Sequence, residues 1–367
     1  MQVKSETIAS AKNAASSEAP DPRENLLGRS APELERLFYD LGERPYRGTQ
    51  VSEWIYARGV SEFDAMTNLP VALRLKLKAE FAIGVLSERS RRETPDRKTR
   101  KVGYEVPGGG IIESVYMSTL TRFTFCLSSQ HGCAFACRFC ATGRMGRGRN
   151  LTAAEILEQA FLLRGELPRG RDEYNVVMMG MGEPLENYES VIEALTILSD
   201  PAGMAVPAKR ITISTVGLVP QIIRLADQGH RFRLAVSLHA ATDAQRSKLM
   251  PVNRRFPLEQ LMHAVRHHVD RTGRRATFEY ILLEDLNDSI ADAARLVKLV
   301  AQLPCKINLI PYNPIGPGKF KRPSPERIER FAGYLRPRVP AVTVRYSQGV
   351  EIGAACGQLA GETESAP

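Results

Sequence analysis

The stretch G132-CAFACRFCATG-143 places Cys133, Cys137 and Cys140 within eight positions of a chain that has only six cysteines in 367 residues. It directly follows an apolar run, FTFCLS (123–128), that reads as a strand. A structural zinc site usually takes four Cys or His ligands from two paired knuckles. Here the spacing is C-x3-C-x2-C with no second pair, and His131 is awkwardly close to Cys133 to share a tetrahedron. Iron–sulfur clusters are held by thiolates, usually four. Three thiolates on a short loop leave one iron of a four-iron cluster open to a small chelating molecule, and this reading is preferred over zinc or buried thiols. Gly132, Ala134 and Ala136 let the loop wrap closely, and Phe139 offers an apolar cover.

Outward from this loop the chain alternates between strand-like and helix-like segments. NVVMMG (175–180), RITISTV (210–216), RLAVSLH (233–239), TFEYILL (277–283) and KINLIPY (306–312) read as further strands. Amphipathic segments over 153–165, 188–200, 219–229, 257–273, 289–302 and 324–336 separate or follow them, and VTVRYS (342–347) is a last short run. The pattern predicts an α/β fold, a parallel sheet with helices outside, arranged as a partial (β/α)6 TIM-like barrel over 121–350. The cysteine loop then lies on the rim at the C-terminal ends of the strands, where such barrels carry their active sites. Gly182, Glu183, Ser214, Ser237, Leu238, His239 and Asn313 fall on the same rim. Each alone reads as a turn or cap residue; together they read as a ligand cradle.

Residues 23–85 have the apolar spacing of a small helical domain, with Ser30 and Thr67 as expected N-caps. Residues 86–120 are expected to form a β-rich linker, and 351–367 a mobile, glycine-rich C-terminal segment containing Cys356. Residues 1–22 are polar, rich in Ala and Ser, and read as a disordered tail without a secretory signal. No apolar run is long enough to span a membrane. A cytoplasmic protein is expected, and in that compartment cysteines point to metal binding or catalysis more than to a disulfide framework.

The net charge is +9. Residues 86–101 carry seven basic side chains against three acidic ones, and Arg138, Arg144, Arg147 and Arg149 surround the cysteines. A basic surface suits a polyanion, nucleic acid above all, although a solvated basic face explains the charge equally well. His263 and His267 stand at metal-ligand spacing on a predicted helix, but no third ligand completes a site. Cys305 reads as structural.

C-x3-C-x-aromatic-C after a first barrel strand resembles the radical S-adenosylmethionine superfamily. FCLSSQHGCAFACRFCATG (125–143), MGMGEPLENY (179–188), ITISTVG (211–217), AVSLHA (235–240), LMPVNRRFPL (249–258), INLIPYNP (307–314) and EIGAACGQLAG (351–361) resemble the RlmN/Cfr family of RNA adenine methyltransferases. The N-terminal stretch from DPRENLLGRSAPELERLF to MTNL favours the RlmN branch. The resemblance implies that Cys133, Cys137 and Cys140 hold one [4Fe-4S] cluster. It implies that Gly182, Glu183, Ser214, Ser237, Leu238, His239 and Asn313 contact S-adenosylmethionine, two molecules of which are used per turnover. It further implies that Cys356 carries a methyl group, that Cys126 resolves the adduct through a transient disulfide, and that Glu113 transfers a proton. The implied substrates are adenine 2503 of 23S rRNA, methylated at carbon-2, and adenine 37 of some tRNAs. An electron donor such as flavodoxin and a monomeric state are expected with them. A Cfr-type carbon-8 methyltransferase uses the same parts and is the alternative. A non-catalytic, cluster-bearing RNA-binding protein is a further alternative, separable by turnover.

The chemistry explains why such residues are needed. Carbon-2 of adenine lies between two ring nitrogens and is too electron-poor to attack a sulfonium methyl directly. A thiolate is the best side-chain nucleophile near neutral pH, so a cysteine can take the methyl first and present it to radical chemistry. A second thiolate can then free the product by attacking the sulfur of the first.

Overall fold

The structure, a computed structural model, describes residues 23–316 and 318–361. The expected N-terminal tail, and the part of the C-terminal segment beyond residue 361, lie outside the described residues.

The N-terminal unit runs through β1 (Glu24–Asn25), α1 (Ala31–Asp40), α2 (Tyr46–Ser52), α3 (Val71–Glu80) and β2 (Phe81–Ala82). Ser30 caps α1 in a reciprocal capping box with Glu33, as its spacing predicts. Leu34, Phe38, Val51, Ile55, Leu73 and Leu77 are buried and form its core. Thr67 is not a cap: α3 begins after Pro70. A proline disfavours helical backbone in the residue before it, so the helix cannot start as early as Thr67. β1 and β2 pair in parallel and close the unit.

Residues 86–120 form three antiparallel strands, β3 (Ser87–Glu93), β4 (Thr99–Glu105) and β5 (Ile111–Ser118). They continue the main sheet. β5 pairs with β6 (Phe123–Cys126), the first strand of the parallel series. The basic run 86–101 is therefore an edge strand and its neighbour, and much of its charge is already paired: Arg89 with Glu105, Arg91 with Glu88 and Glu166, and Arg100 with Glu166 at 2.9 Å. Charge on an edge strand also discourages pairing with other chains.

The chain continues through β7 (Gln130–His131), α4 (Ala141–Met145), β8 (Arg149–Asn150), α5 (Ala153–Arg164), β9 (Tyr174–Met178), α6 (Tyr188–Ser199), β10 (Ile211–Thr215), α7 (Val219–Asp227), β11 (Arg233–Ser237), α8 (Asp243–Leu249), α9 (Leu258–Thr272), β12 (Ala276–Leu282), α10 (Ile290–Leu299), β13 (Cys305–Pro311), α11 (Pro325–Leu335) and β14 (Val342–Val344). The ten-stranded sheet has the order β14-β13-β12-β11-β10-β9-β6-β5-β4-β3. Its stretch from β6 to β14 is parallel throughout. This is the α/β architecture that the alternation predicts: six parallel strands, each leading towards a helix, with β14 added at the far edge. Val176, Ile213, Leu234, Val236, Phe278 and Ile307 are buried, because a parallel sheet is covered on both faces. Two short helices, α4 and α8, escaped the periodicity because ATGRM and DAQRSKL are too short and polar to show an apolar stripe.

Candidate active site

The cysteine loop leaves β6 and is closed at its base by the antiparallel pairing of β7 with β8. Gly132 has φ 94°, and a Cβ there would stand 2.7 Å from the Gly146 carbonyl oxygen, so only glycine lets the two chain segments approach. The Cys133 amide donates to Gly146 O at 2.8 Å, and the Arg138 amide to Leu249 O at 3.0 Å, which anchors the loop to α8.

All three loop cysteines line one cavity of about 430 Å³, together with Cys126 and Cys356. Burial pushes the Cys133 thiol up to about 12 and raises Cys137 and Cys140 as well. Backbone amides nevertheless face two of the sulfurs: Phe135 donates to Cys133, and Thr142 and Gly143 to Cys140. Such donors favour the thiolate form and are the kind of outer support that ligating sulfurs receive. Phe139 is buried and meets the edge of His239 with ring centroids 4.7 Å apart. Three thiols on one cavity, two of them facing amide donors, with an apolar cover, fit a cluster ligand set. The paired histidines do not form a metal site: His267 Nε2 meets Asp227 Oδ1 at 2.8 Å, and His263 is exposed.

Gly182, Glu183, Ser214, Ser237 and His239 line the same cavity. Gly182 has φ 97°, and a Cβ would fall 2.6 Å from Gln130 Cβ. Glu183 is buried; its Oε2 accepts from the Val216 amide at 2.8 Å and its Oε1 from the Leu185 amide at 3.0 Å. Burial lifts its carboxyl to about 7 against these hydrogen bonds. His239 has φ 58°, and its Nδ1 accepts from the Ile281 amide at 3.0 Å. That bond leaves the proton on Nε2, and burial holds the ring pKa down at about 3, so the ring is neutral.

Leu238 and Asn313 do not face the cavity. Leu238 is fully buried, and its amide donates to Glu279 O at 3.0 Å. Asn313 Nδ2 instead donates to Ser347 Oγ at 2.8 Å and to the Cys356 carbonyl at 3.2 Å, so it ties the Cys356 segment to the end of β13.

Glu113 is not brought to the cavity either. It is 1 % exposed and paired with the buried Lys101 at 2.8 Å. Its Oε2 accepts from the amides of Ala360, at 2.8 Å, and Gly361, at 3.2 Å. The segment bearing Cys356 is also held by the Ala141 amide on Gly357 O at 2.7 Å and by Thr142 Oγ1 on Leu359 O at 2.6 Å. Cys356 itself opens to the cavity, yet the surrounding protein desolvates its thiol, and with Cys140 and Glu279 nearby its pKa rises to about 11. Burial also lifts Cys126 to about 12, with Cys356 the next contributor. Both are free thiols.

Arg246 was not singled out in the sequence. It is fully buried, and its guanidinium donates to the carbonyls of Val216 (2.6 Å), Ser237 (3.1 Å) and Leu238 (3.1 Å) and to Asn253 Oδ1 (3.0 Å). Desolvation lowers its pKa to about 10, which still leaves it charged. It knits the ends of β10 and β11 together beneath the rim. Its signal in the sequence was slight, one arginine in a polar segment. Of the arginines around the loop, Arg149 is committed to Glu155 at 2.6 Å and Arg147 meets Glu186 at 3.3 Å, while Arg138 is exposed.

Comparison with known proteins places these features in context. The family model of the ribosomal RNA large subunit methyltransferase N-terminal domain matches residues 24–83, and that of the radical SAM superfamily matches residues 127–297. A dual-specificity RNA methyltransferase RlmN of Anaeromyxobacter sp. is 45 % identical over 94 % of this chain and 92 % of its own. A probable one from Symbiobacterium thermophilum is 43 % identical over 92 % and 91 %. The RlmN of Pseudomonas fluorescens is 42 % identical over 92 % and 90 %. A solved radical SAM methyltransferase from Sphaerobacter thermophilus superposes with a TM-score of 0.90 at 46 % identity, covering 92 % of this chain and all of that one.

Proposed function

Because the chain belongs to the RlmN family of radical S-adenosylmethionine RNA methyltransferases, we propose that it methylates carbon-2 of adenine 2503 in 23S rRNA, and of adenine 37 in some tRNAs, by way of a methyl group carried on Cys356. One observation carries this reading: a single cavity is lined by Cys133, Cys137 and Cys140 and by the separate pair Cys126 and Cys356. The RlmN-type N-terminal domain and the RlmN relatives favour carbon-2 over the carbon-8 alternative.

In this reading Cys133, Cys137 and Cys140 hold a [4Fe-4S] cluster. When bound, that cluster supplies the single electron that splits S-adenosylmethionine. Gly182, Glu183, Ser214, Ser237 and His239 form the cavity wall against which the cofactor is oriented, while Leu238 and Asn313 support that wall from behind. Cys356, as thiolate, displaces the methyl group of one S-adenosylmethionine, forming an S–C bond as the sulfonium S–C bond breaks. A second S-adenosylmethionine serves the radical step. Once the carried carbon is joined to adenine, the Cys126 thiolate attacks the Cys356 sulfur. With the carbon-2 proton lost to a base, the S–C bond breaks with its electron pair passing to the carbon, which takes up a proton as the product methyl group; a disulfide forms, and an external thiol reductant restores both cysteines. Desolvation protects both thiols from idle ionisation until a cationic sulfonium or the adduct arrives. Glu113 reaches the cavity only when the 349–361 segment leaves its carboxylate; in the arrangement described above it acts as a clamp. The reading includes a one-electron donor such as flavodoxin and a monomeric cytoplasmic enzyme. Among the described residues, no helix is long and apolar enough to cross a membrane.

The test is anaerobic reconstitution with iron and sulfide, then incubation with S-adenosylmethionine, a reductant and protein-free 23S rRNA, followed by nucleoside mass spectrometry. The expected product is 2-methyladenosine. Finding only 8-methyladenosine, or a protein that takes zinc and neither iron nor sulfide, overturns the reading.

A further inference from the structure

Glu279, which lines the cavity, and Asn308, which lies beside it on the same sheet face, form a pair of polar side chains that none of the steps above uses. Glu279 of β12 stands in register between Ser237 of β11 and Asn308 of β13. Residues directly opposite in neighbouring strands share a face, and Ser237 and Glu279 both line the cavity. Glu279 is 4 % exposed and Asn308 5 %. Asn308 Nδ2 donates to Glu279 Oε1 at 2.8 Å. The two remaining acceptors of the pair, Glu279 Oε2 and Asn308 Oδ1, are buried with no hydrogen-bond partner among the described residues. Buried polar atoms are nearly always paired, and leaving two adjacent acceptors without donors is costly. Such a pair is matched by a ligand that brings hydrogens.

We propose that Glu279 and Asn308 read the target base, each free acceptor taking one hydrogen of the adenine 6-amino group. The inference rests on the RNA-adenine reading above and adds the residues that choose the base. Cys126 and Cys356 line the cavity with Glu279, so a base joined to the carbon carried by Cys356 lies in the same space. In adenine, carbon-2 and the 6-amino group flank N1 on one edge of the ring. A contact that holds the amino group therefore also sets how far carbon-2 sits from Cys356. Guanine and hypoxanthine carry a carbonyl oxygen in place of the amino group. That oxygen would face two acceptors, a repulsion that rejects the wrong base more strongly than a missing contact does. Asn308 fixes the orientation of the carboxylate by its bond to Oε1, so Oε2 is the oxygen that stays available.

The test uses the reconstituted holoenzyme and two hairpin RNAs that differ only in adenosine or inosine at the target position. Binding is read by fluorescence anisotropy and product by mass spectrometry. Wild type is expected to favour adenosine by at least about 10-fold, within the range of a hydrogen-bonding site that rejects an isostere. Glu279→Gln keeps Oε1 for Asn308 and replaces the free acceptor with an amide donor. It is expected to erase or invert the adenosine preference, with iron content unchanged. Asn308→Ala, which removes the other acceptor, is expected to narrow the ratio in the same direction. An adenosine-to-inosine ratio that is the same in wild type and both variants overturns the proposal, since the acceptors are then simply hydrated. Failure of wild type to bind or methylate either hairpin instead overturns the RNA reading, and the assignment with it.

Discussion

Lys101 and Glu113 form a buried ion pair at 2.8 Å, and the same carboxylate holds the backbone amides of Ala360 and Gly361. The pair thus joins the antiparallel extension of the sheet to the segment that presents Cys356. Removing one member of a buried pair leaves the other charge uncompensated and typically costs about 3–5 kcal/mol. Lys101→Met is expected to lower the melting temperature and to speed amide hydrogen exchange at Ala360 and Gly361. Glu113→Gln combined with Lys101→Met removes both charges and should recover much of the loss. Exchange at those amides unchanged in Lys101→Met would show that the pair does not hold the segment.

Cys356→Ala is expected to abolish RNA methylation while retaining iron and sulfide, because its thiol is the proposed methyl carrier. Cys126→Ala is expected to retain the first methyl transfer and to accumulate a covalent protein–RNA adduct, visible as a shifted band on a denaturing gel. Full activity in Cys356→Ala would remove the carrier mechanism.

Arg246 makes four hydrogen bonds from a fully buried position. Arg246→Met leaves three backbone carbonyls at the rim without their donor. A loss of several kcal/mol is expected, of the order of 3 kcal/mol or more, with weakened S-adenosylmethionine binding measured by calorimetry. Arg246→Lys is expected to rescue only part, since an ammonium cannot reproduce the fork of the guanidinium. A calorimetric affinity equal to wild type in Arg246→Met would place the rim under other control.

Glu158 supports the junction between the N-terminal unit and the sheet. Its carboxylate accepts from the amides of Val85 and Leu86 at 2.8–2.9 Å. Burial raises its pKa from 4.5 to about 7. A carboxyl raised on folding favours the neutral form, so its contribution is fully present below about pH 4.5 and is lost as pH rises towards 7. At about 1.4 kcal/mol per unit the change amounts to ~3 kcal/mol. Glu158→Gln keeps an acceptor for both amides and removes the titration. Denaturant unfolding measured from pH 5 to 8 should show a downward slope up to about pH 7 that is steeper in wild type than in the variant, where the buried Glu183 still contributes; parallel curves would refute the assignment.

The sequence by itself determined the barrel and the three-cysteine loop. Apolar strands alternating with amphipathic helices admit few packings, and C-x3-C-x2-C is a local pattern whose spacing survives folding. Local signals also gave the Ser30 cap, whereas Thr67 failed because Pro70 overrode it three residues later. What only the tertiary structure decided depends on contacts between residues far apart in the chain. Glu113 and Ala360 are 247 positions apart, so no local pattern could reveal that this carboxylate clamps the C-terminal segment. Asn313 and Leu238 looked like cradle residues by position, yet a strand end offers several directions, and packing turned both away from the cavity. Arg246 and Glu279 carried no signature, because what distinguishes them is burial, Arg246 among carbonyl acceptors and Glu279 with one oxygen left unpaired in the cavity wall, and burial is a property of the assembled sheet.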